Sequence, residues 1–221
     1  MTYDAAVFDM DGVLVERTPS WVFDDAATAA LEAFGLHDHS DTEHRTIRSS
    51  RQVRSDDGHR LAERAGADLE AMWQKREELV AANQRTAIER GEKTLYDDAE
   101  AFADTGLDFG IVSNNQHEMV EHVVEQFDLA GFETYYGRQP TFEGLDLCKP
   151  DPTYLERALD DLGAEHAVYV GDRESDVRVA EAVGIDSAFV RRSFNAADEL
   201  ETEPTYDVDS LHELRVEMGL V

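Results

Sequence analysis

Short, fully apolar segments that alternate with helical patterns constrain the fold of this chain more than any other feature. Four such runs are AAVF, FGIVS, AVYVG and DSAFV, at residues 5–8, 109–113, 167–171 and 186–190, and a weaker one, ETYYG, lies at 133–137. They are rich in β-branched and aromatic residues and end in small or polar ones. Strands without apolar–polar alternation are buried on both faces, which is typical of parallel sheets.

Helical signals separate these runs. After the ETYYG run, Asp151 is expected as an N-cap, Pro152 in the first helical turn and Gly163 as the stop, and the helix after AVYVG is expected to stop at Gly184. Alternation of strands and helices indicates βαβ units. The sequence therefore predicts an α/β fold with a doubly wound, mostly parallel, Rossmann-like sheet.

Residues 16–91 depart from this alternation, because they contain no convincing strand and are typical of successive helices. We therefore predict an all-helical domain at 16–91, inserted after the first strand, and an α/β core domain formed by 1–15 and 92–221. Ligands bind beyond the carboxyl ends of the strands in such sheets, and the insertion leaves from one of these ends. We expect the helical domain to act as a cap or lid.

Polar and charged residues follow the predicted strands at the edge of the sheet where ligands bind. These residues are Asp9, Asp11, Ser113, Asn114, Lys149, Asp172 and Asp176. Asp9 and Asp11 can face the same way if the chain stays extended, and Gly12 then allows a sharp turn. Asp176 could instead cap the helix that follows it.

Four carboxylates at one sheet edge would repel one another strongly without a cation. Hard oxygen ligands around a small cavity suit Mg²⁺, and Lys149 supplies a second compensating charge. A metal ion, a lysine, a hydroxyl and an amide together form a receptor for a phosphoryl group. Of the two neighbouring carboxylates, one can attack phosphorus while the other exchanges a proton with the leaving group and with water.

The chain resembles the haloacid dehalogenase superfamily of hydrolases, in its phosphatase branch with a small helical cap, of the phosphoglycolate phosphatase type. FDMDGVLVE is similar to the first motif of that family, IVSNN to the second, CKPDP to the third and YVGDRESDV to the fourth. All four occur in the family's order, and together they cover the core from residue 5 to about residue 190. One short motif is weakly specific, but the ordered set is strongly specific.

The resemblance implies a role for each motif residue. Asp9 would be the nucleophile and Asp11 the general acid and base, with Asp9 and Asp11 also at the metal. Ser113, Asn114 and Lys149 would bind the phosphoryl group. Asp172 would ligate Mg²⁺, and Asp176 would hold the metal site directly or through its neighbours.

Three alternatives to a phosphatase differ in their chemistry. A dehalogenase is disfavoured because halide leaves without a proton or a metal, so Asp11 would have no task. A phosphomutase of the same family shares the DxDG motif and stays open. A phosphoacceptor signalling module without turnover would typically lack the second acid and need no helical lid. Hydrolysis of a small phosphate monoester, for example phosphoglycolate or a sugar phosphate, is our preferred interpretation.

The net charge of −29, from 49 acidic and 20 basic residues, excludes some partners. Such a surface repels nucleic acid and anionic membranes, so we expect a small phosphorylated metabolite as the partner. The acids are spread along the chain and only three bases are lysines, which is typical of proteins from concentrated salt. A single cysteine and an N-terminus without signal-peptide features favour the cytoplasm. The sequence leaves the oligomeric state open.

Overall fold

The computed structural model describes residues 3–129 and 131–220, which form six strands and nine helices. The strands are β1 (Ala5–Phe8), β2 (Asp108–Gln116), β3 (Phe132–Arg138), β4 (Ala167–Gly171), β5 (Asp186–Val190) and β6 (Tyr206–Val208). The helices are α1 (Ser20–Ala33), α2 (Asp41–Arg48), α3 (Asp56–Ala65), α4 (Leu69–Glu89), α5 (His117–Gln126), α6 (Phe142–Asp146), α7 (Thr153–Leu162), α8 (Glu174–Val183) and α9 (Leu211–Glu217). Among the described residues, no helix combines the length and the apolar character that crossing a bilayer requires.

The six strands form one sheet in the order β3-β2-β1-β4-β5-β6, and every neighbouring pair is parallel. This confirms the predicted α/β fold. In the centre of the sheet, Phe8 at the end of β1 pairs with Ile111 of β2 on one side and Val170 of β4 on the other. The strand order reverses between β1 and β4, and ligands bind at such a switch point in open α/β sheets.

Strand β1 is buried at every position, in agreement with its uninterrupted apolar sequence. On the sheet, Phe8 meets Phe102, Phe109 and Phe132 with ring centroids 5.5, 6.3 and 5.9 Å away. Val7, Val112 and Tyr169 belong to a second buried cluster, together with Leu155 of α7 and Val179 of α8. Each fully buried aliphatic side chain contributes about 1.5–3 kcal/mol, so these contacts hold β1, β2 and β4 in register.

The chain divides into two compact units. The α/β unit consists of Met1–Arg17, Thr94–Arg138 and Leu147–Val221, and the helical unit of Thr18–Lys93 and Gln139–Asp146. The α/β unit therefore contains the whole sheet. Residues 139–146, which the sequence pattern assigned to the α/β part, instead pack with the helical unit, where Phe142 and Leu145 contact its core.

The helical unit has its own apolar core. Trp73 of α4 lies at its centre and is fully buried, in one cluster with Leu31 of α1, Ile47 of α2 and Leu61 of α3. Helix α2 begins with a capping box. The Ser40 hydroxyl accepts a hydrogen bond from the Glu43 main-chain N–H, and the Glu43 carboxylate accepts one from the Ser40 main-chain N–H. Each helix therefore presents apolar residues to one shared interior.

The helix boundaries follow the sequence signals only in part. Gly163 and Gly184 end α7 and α8 in the left-handed conformation, as predicted. The prediction of Asp151 as N-cap was wrong, because Pro152 holds that position. The Asp151 carboxylate instead accepts a hydrogen bond from the Thr153 main-chain N–H at 3.0 Å, which fixes the turn before the helix.

Candidate active site

A tight turn at the end of β1 fixes the first pair of acids. The Asp9 main-chain N–H donates to the Val170 carbonyl at 2.8 Å, so the chain is still attached to β4 there. Gly12 follows with φ of +91°, a conformation that favours glycine, and its N–H donates to Val15. A Cβ atom on Gly12 would lie 2.4 Å from Asp172 Oδ2. Glycine at this position therefore permits the close approach of the Asp172 carboxylate.

Lys149 occupies the centre of the acidic cluster and is buried. Its Nζ lies 3.2 Å from Asp9 Oδ2 and 2.8 Å from Asp176 Oδ1. The same ammonium donates to the Val112 carbonyl at 3.0 Å and to the Tyr169 hydroxyl at 2.6 Å. This one side chain therefore joins Asp9, at the end of β1, to residues within β2 and β4 and to the first turn of α8.

Asp176 is buried in the first turn of α8, and both of its oxygens have neighbours. One oxygen accepts from the main-chain N–H groups of Asp172 and Arg173 at 3.1 and 3.0 Å, and the other faces Lys149. Asp176 thus caps α8 as well as joining the cluster, so both sequence interpretations are compatible. Gly171 makes this approach possible, since a Cβ there would lie 2.1 Å from that of Asp176.

Asp172 is the carboxylate whose charge the described residues compensate least. It is buried, and neither of its oxygens has a hydrogen-bond partner among the residues the structure describes. Burial, together with the charges of Asp9 and Asp176, raises the pKa of Asp172 to about 8. A buried carboxylate without hydrogen-bond partners is costly, so this group calls for a cation.

The donor set fits a small hard cation. One carboxylate oxygen each from Asp9, Asp172 and Asp176 lies within 4.8 Å of the others, and all three residues are buried. Carboxylate oxygens are the ligands that Mg²⁺ prefers, and Mg²⁺ commonly uses only one or two carboxylates directly. The orphaned oxygens of Asp172 offer it a site without displacing an existing hydrogen bond.

Opposing effects act on the ionisation of the Lys149–Asp9 pair. Burial alone would lower the pKa of Lys149, but Asp176 and Asp9 hold that pKa well above its usual range. Burial raises the pKa of Asp9, while Lys149 lowers it and the charges of Asp176 and Asp11 raise it. Lys149 is therefore charged, and Asp9 depends on a positive neighbour to remain ionised.

The remaining predicted residues also lie at this edge of the sheet. Asp11 Oδ2 accepts a hydrogen bond from the Asn115 side chain at 2.7 Å. Ser113 is buried, and its hydroxyl accepts from the Asn115 main-chain N–H at 3.2 Å. The Asn114 side-chain oxygen accepts from the Lys149 main-chain N–H at 2.8 Å. Asn114 thus positions the loop that carries Lys149.

Residues outside the four motifs also contribute. Asn195, in the loop after β5, is buried and donates to the carbonyls of Asp172 and Val190, both at 3.0 Å. The Tyr169 hydroxyl donates to the Val112 carbonyl at 2.6 Å while it accepts from Lys149. Neither residue was predicted from the sequence, because Asn195 lies in a polar loop and Tyr169 has the aromatic character of an ordinary strand residue.

The model of the haloacid dehalogenase-like hydrolase family matches residues 3–184. The matched region covers most of the chain and includes every strand of the sheet except β5 and β6. It also contains all seven polar residues predicted at the strand ends.

Three curated relatives are similar over about half of their own length. Pyrophosphatase PpaX of Oceanobacillus iheyensis is 25% identical over 128 residues, which cover 57% of this chain and 58% of the relative. An (S)-2-haloacid dehalogenase of Pseudomonas putida is 28% identical over 49% of this chain and 48% of its own. A phosphoglycolate phosphatase of Salmonella choleraesuis is 28% identical over 52% of this chain and 46% of its own.

A solved structure shows that the fold is shared over the full chain. The crystal structure of a HAD phosphatase from Thermococcus onnurineus superposes with a TM-score of 0.67 and 24% identity, over 99% of this chain and 98% of that one. The likeness concerns the fold, while the family match rests on the sequence. On that match, the chain belongs to the haloacid dehalogenase-like hydrolases.

Proposed function

We propose that this chain is a Mg²⁺-dependent phosphatase that hydrolyses a small phosphate monoester through a phosphorylated Asp9. The observation that carries the proposal is the buried cluster of Asp9, Lys149, Asp172 and Asp176, which come from three separate segments of the chain. A cluster that joins a nucleophile, an ammonium group and carboxylates that could hold a cation matches the needs of phosphoryl transfer.

Asp9 and Asp11 divide the covalent work. A carboxylate oxygen of Asp9 bonds to phosphorus as the ester P–O bond breaks, and the departing oxygen takes its proton from Asp11. In the second half, Asp11 takes a proton from water, the water oxygen bonds to phosphorus, and the bond to Asp9 breaks to release phosphate. Asn115 supports this role, because its hydrogen bond to Asp11 fixes that carboxyl group.

Ser113, Asn114 and Lys149 would bind the phosphoryl oxygens, and Asp9, Asp11, Asp172 and Asp176 would hold Mg²⁺. The metal ion, when bound, stabilises negative charge on the phosphoryl group. Lys149 contributes a fixed positive charge beside Asp9, and the buried setting excludes water that would weaken it. Asp176 orients Lys149 and the start of α8.

The names of the relatives support more than one chemistry. Two of the three relatives are named for phosphate chemistry and one for dehalogenation. Asp11 favours phosphate for this chain, because an acid beside the nucleophile serves a leaving group that needs a proton. A 2-haloacid is therefore the control substrate in any activity assay.

Replacement of Asp9 tests the proposal. We expect Asp9→Asn to reduce Mg²⁺-dependent hydrolysis of an aryl phosphate by at least about a thousandfold, because the amide cannot form the covalent intermediate. Asp108→Asn is the matched control, since Asp108 is exposed at the opposite end of β2. Circular dichroism should show both variants folded. Retained turnover in Asp9→Asn, or wild-type turnover of the haloacid alone, would refute the proposal.

We further propose that the helical unit selects the substrate. Its main segment leaves the α/β unit shortly after Asp9 and returns at Thr94, so the chain connects it directly to the first motif. Hydrogen exchange is the test: a phosphonate analogue should slow exchange in the helical unit as well as at the strand ends. Unchanged exchange throughout the helical unit would contradict this assignment.

A further inference from the structure

Arg173 carries a positive charge at the edge of the acidic cluster. None of the roles proposed above involves its side chain. It directly follows Asp172 and occupies the N-cap of α8 with an extended backbone. Its main-chain N–H donates to Asp176 Oδ2 at 3.0 Å, so the origin of the side chain is fixed by the cluster itself. A fixed origin reduces the entropy cost of placing a long side chain on a ligand.

Within the described chain, the guanidinium group makes a loose ion pair with Asp172. Its Nε lies 3.7 Å from Asp172 Oδ1, beyond hydrogen-bond distance, and no other described residue pairs with it. Its side chain is 53% exposed, whereas that of Asp172 is 1% exposed. Arginine carries five N–H donors in a planar fork, so donors remain for a group arriving from solvent.

Another arginine near the cluster has a partner of a different kind. Arg17 lies over the ring of Phe194, 4.7 Å from its centroid, and that ring borders Gly12 and Asp172. Lys149 is buried among Asp9, Asp176, Val112 and Tyr169. Arg173 is thus an exposed cation at this edge whose donors remain available to a ligand.

Arg173 adjoins a cluster that already contains the carboxylates of Asp9, Asp172 and Asp176. A substrate with two anionic groups would bring additional negative charge to a cluster already rich in carboxylates. A guanidinium at the exposed edge offsets this charge, and its fork matches a carboxylate or phosphate in two parallel hydrogen bonds.

We propose that Arg173 binds a second anionic group of the substrate, so that this chain prefers phosphate esters carrying a carboxylate or a further phosphate close to the phosphorus that reacts. This inference rests on the proposed phosphatase function and adds a substrate class to it. The same geometry predicts lower efficiency towards esters of neutral alcohols.

A matched pair of substrates tests this preference in concentrated KCl with Mg²⁺. The pair is 2-phosphoglycolate, which carries a carboxylate, and 2-hydroxyethyl phosphate, which carries a neutral hydroxymethyl group in its place. We expect the ratio of their kcat/KM values to fall by about tenfold to a hundredfold in Arg173→Gln, the usual range for a hydrogen bond to a charged group. Arg173→Lys should recover part of the ratio, because it keeps the charge and loses the fork.

Arg178→Gln is the control, because Arg178 lies on the same helix and pairs with Glu174 and Glu201 on the surface. It should leave the ratio unchanged. An unchanged ratio in Arg173→Gln would overturn the inference, even if both rates fell, because Arg173 would then only balance the charge of the cluster.

Calorimetry separates this inference from the proposed function. The wild-type protein should bind 3-phosphonopropionate more tightly than propylphosphonate, and Arg173→Gln should remove the difference. If wild type hydrolyses no phosphate ester but shows this difference, the phosphatase proposal fails while the role of Arg173 stands. If hydrolysis occurs and the two analogues bind equally, the role of Arg173 fails alone.

Discussion

At the scale of single residues, the charge balance of the site depends on Lys149. The sequence contains only three lysines, and one of them precedes the proline of the CKPDP segment. Four acids at the strand ends require compensating positive charge, so Lys149 could be predicted from this requirement together with its position between predicted strands. The structure adds its contacts, which no sequence pattern contains: two carboxylates, one carbonyl and one tyrosine hydroxyl.

Replacing Lys149 by methionine should destabilise the fold as well as abolish turnover. Methionine has a similar length but leaves Asp9 and Asp176 buried without their ammonium partner, which typically costs about 3–5 kcal/mol. Urea unfolding without Mg²⁺ measures this loss. Lys75→Met is the control, because the Lys75–Glu78 pair on α4 is partly exposed and worth less than about 1 kcal/mol. Equal stability of the two variants would contradict the role of Lys149.

Tyr169 and Asn195 contact the acidic cluster or its backbone, but neither contact could be predicted from individual positions in the sequence. Tyr169 lies in an apolar run, where an aromatic residue indicates only burial. Asn195 lies in a loop that the fold brings beside Asp172, 23 positions earlier in the chain. A hydrogen bond between distant segments depends on the tertiary arrangement, so no local signal predicts it.

At the scale of elements, the close packing of β4 against the start of α8 positions the acids. Gly171 ends β4, and the side chain of Asp176 fills the space where a Cβ would stand. The strand end and the helix therefore share one fixed geometry. A larger residue at 171 must push the first turn of α8 away from the cluster.

Gly171→Ala should therefore reduce turnover far more than Gly184→Ala. The added Cβ at 171 meets Asp176 at 2.1 Å, and overpacking of this kind costs about 1–3 kcal/mol and displaces the carboxylate. Gly184 ends the same helix with φ of +77° and has no neighbour within 4 Å of an added Cβ. Alanine there costs about 1–2 kcal/mol from backbone strain alone. Steady-state rates and thermal unfolding separate the two effects, and equal rates would contradict the positioning role.

Which elements could be predicted depends on how strongly each one is buried. Strands β1 and β4 are buried at every position, so their uninterrupted apolar runs stand out in the sequence. Strand β6 has three residues, YDV, and only Val208 is fully buried, so it leaves no usable pattern. Helices α2 and α3 are polar, with two and three buried residues, and depend on the shared core of the helical unit.

At the scale of the whole molecule, the dominant feature is the strongly negative net charge. We interpret the net charge of −29 and the scarcity of lysine as an adaptation to concentrated salt, where the Debye length falls to about 3 Å.

The order of the six strands could not be obtained from periodicity, because each parallel strand has the same pattern. That the predicted polar residues lie together was nevertheless predictable, since carboxyl ends of parallel strands share one edge.

Titration calorimetry of Mg²⁺ binding tests the central claim, that a cation compensates the buried acids, most directly. In concentrated KCl, which suppresses binding to the general surface charge, we expect wild type and Asp108→Asn to bind one Mg²⁺ with equal affinity. Asp172→Asn should bind at least about tenfold more weakly, because the amide removes the carboxylate whose oxygens accept no hydrogen bond from the described residues. Equal affinity in Asp172→Asn, or no specific binding by wild type, would contradict the account.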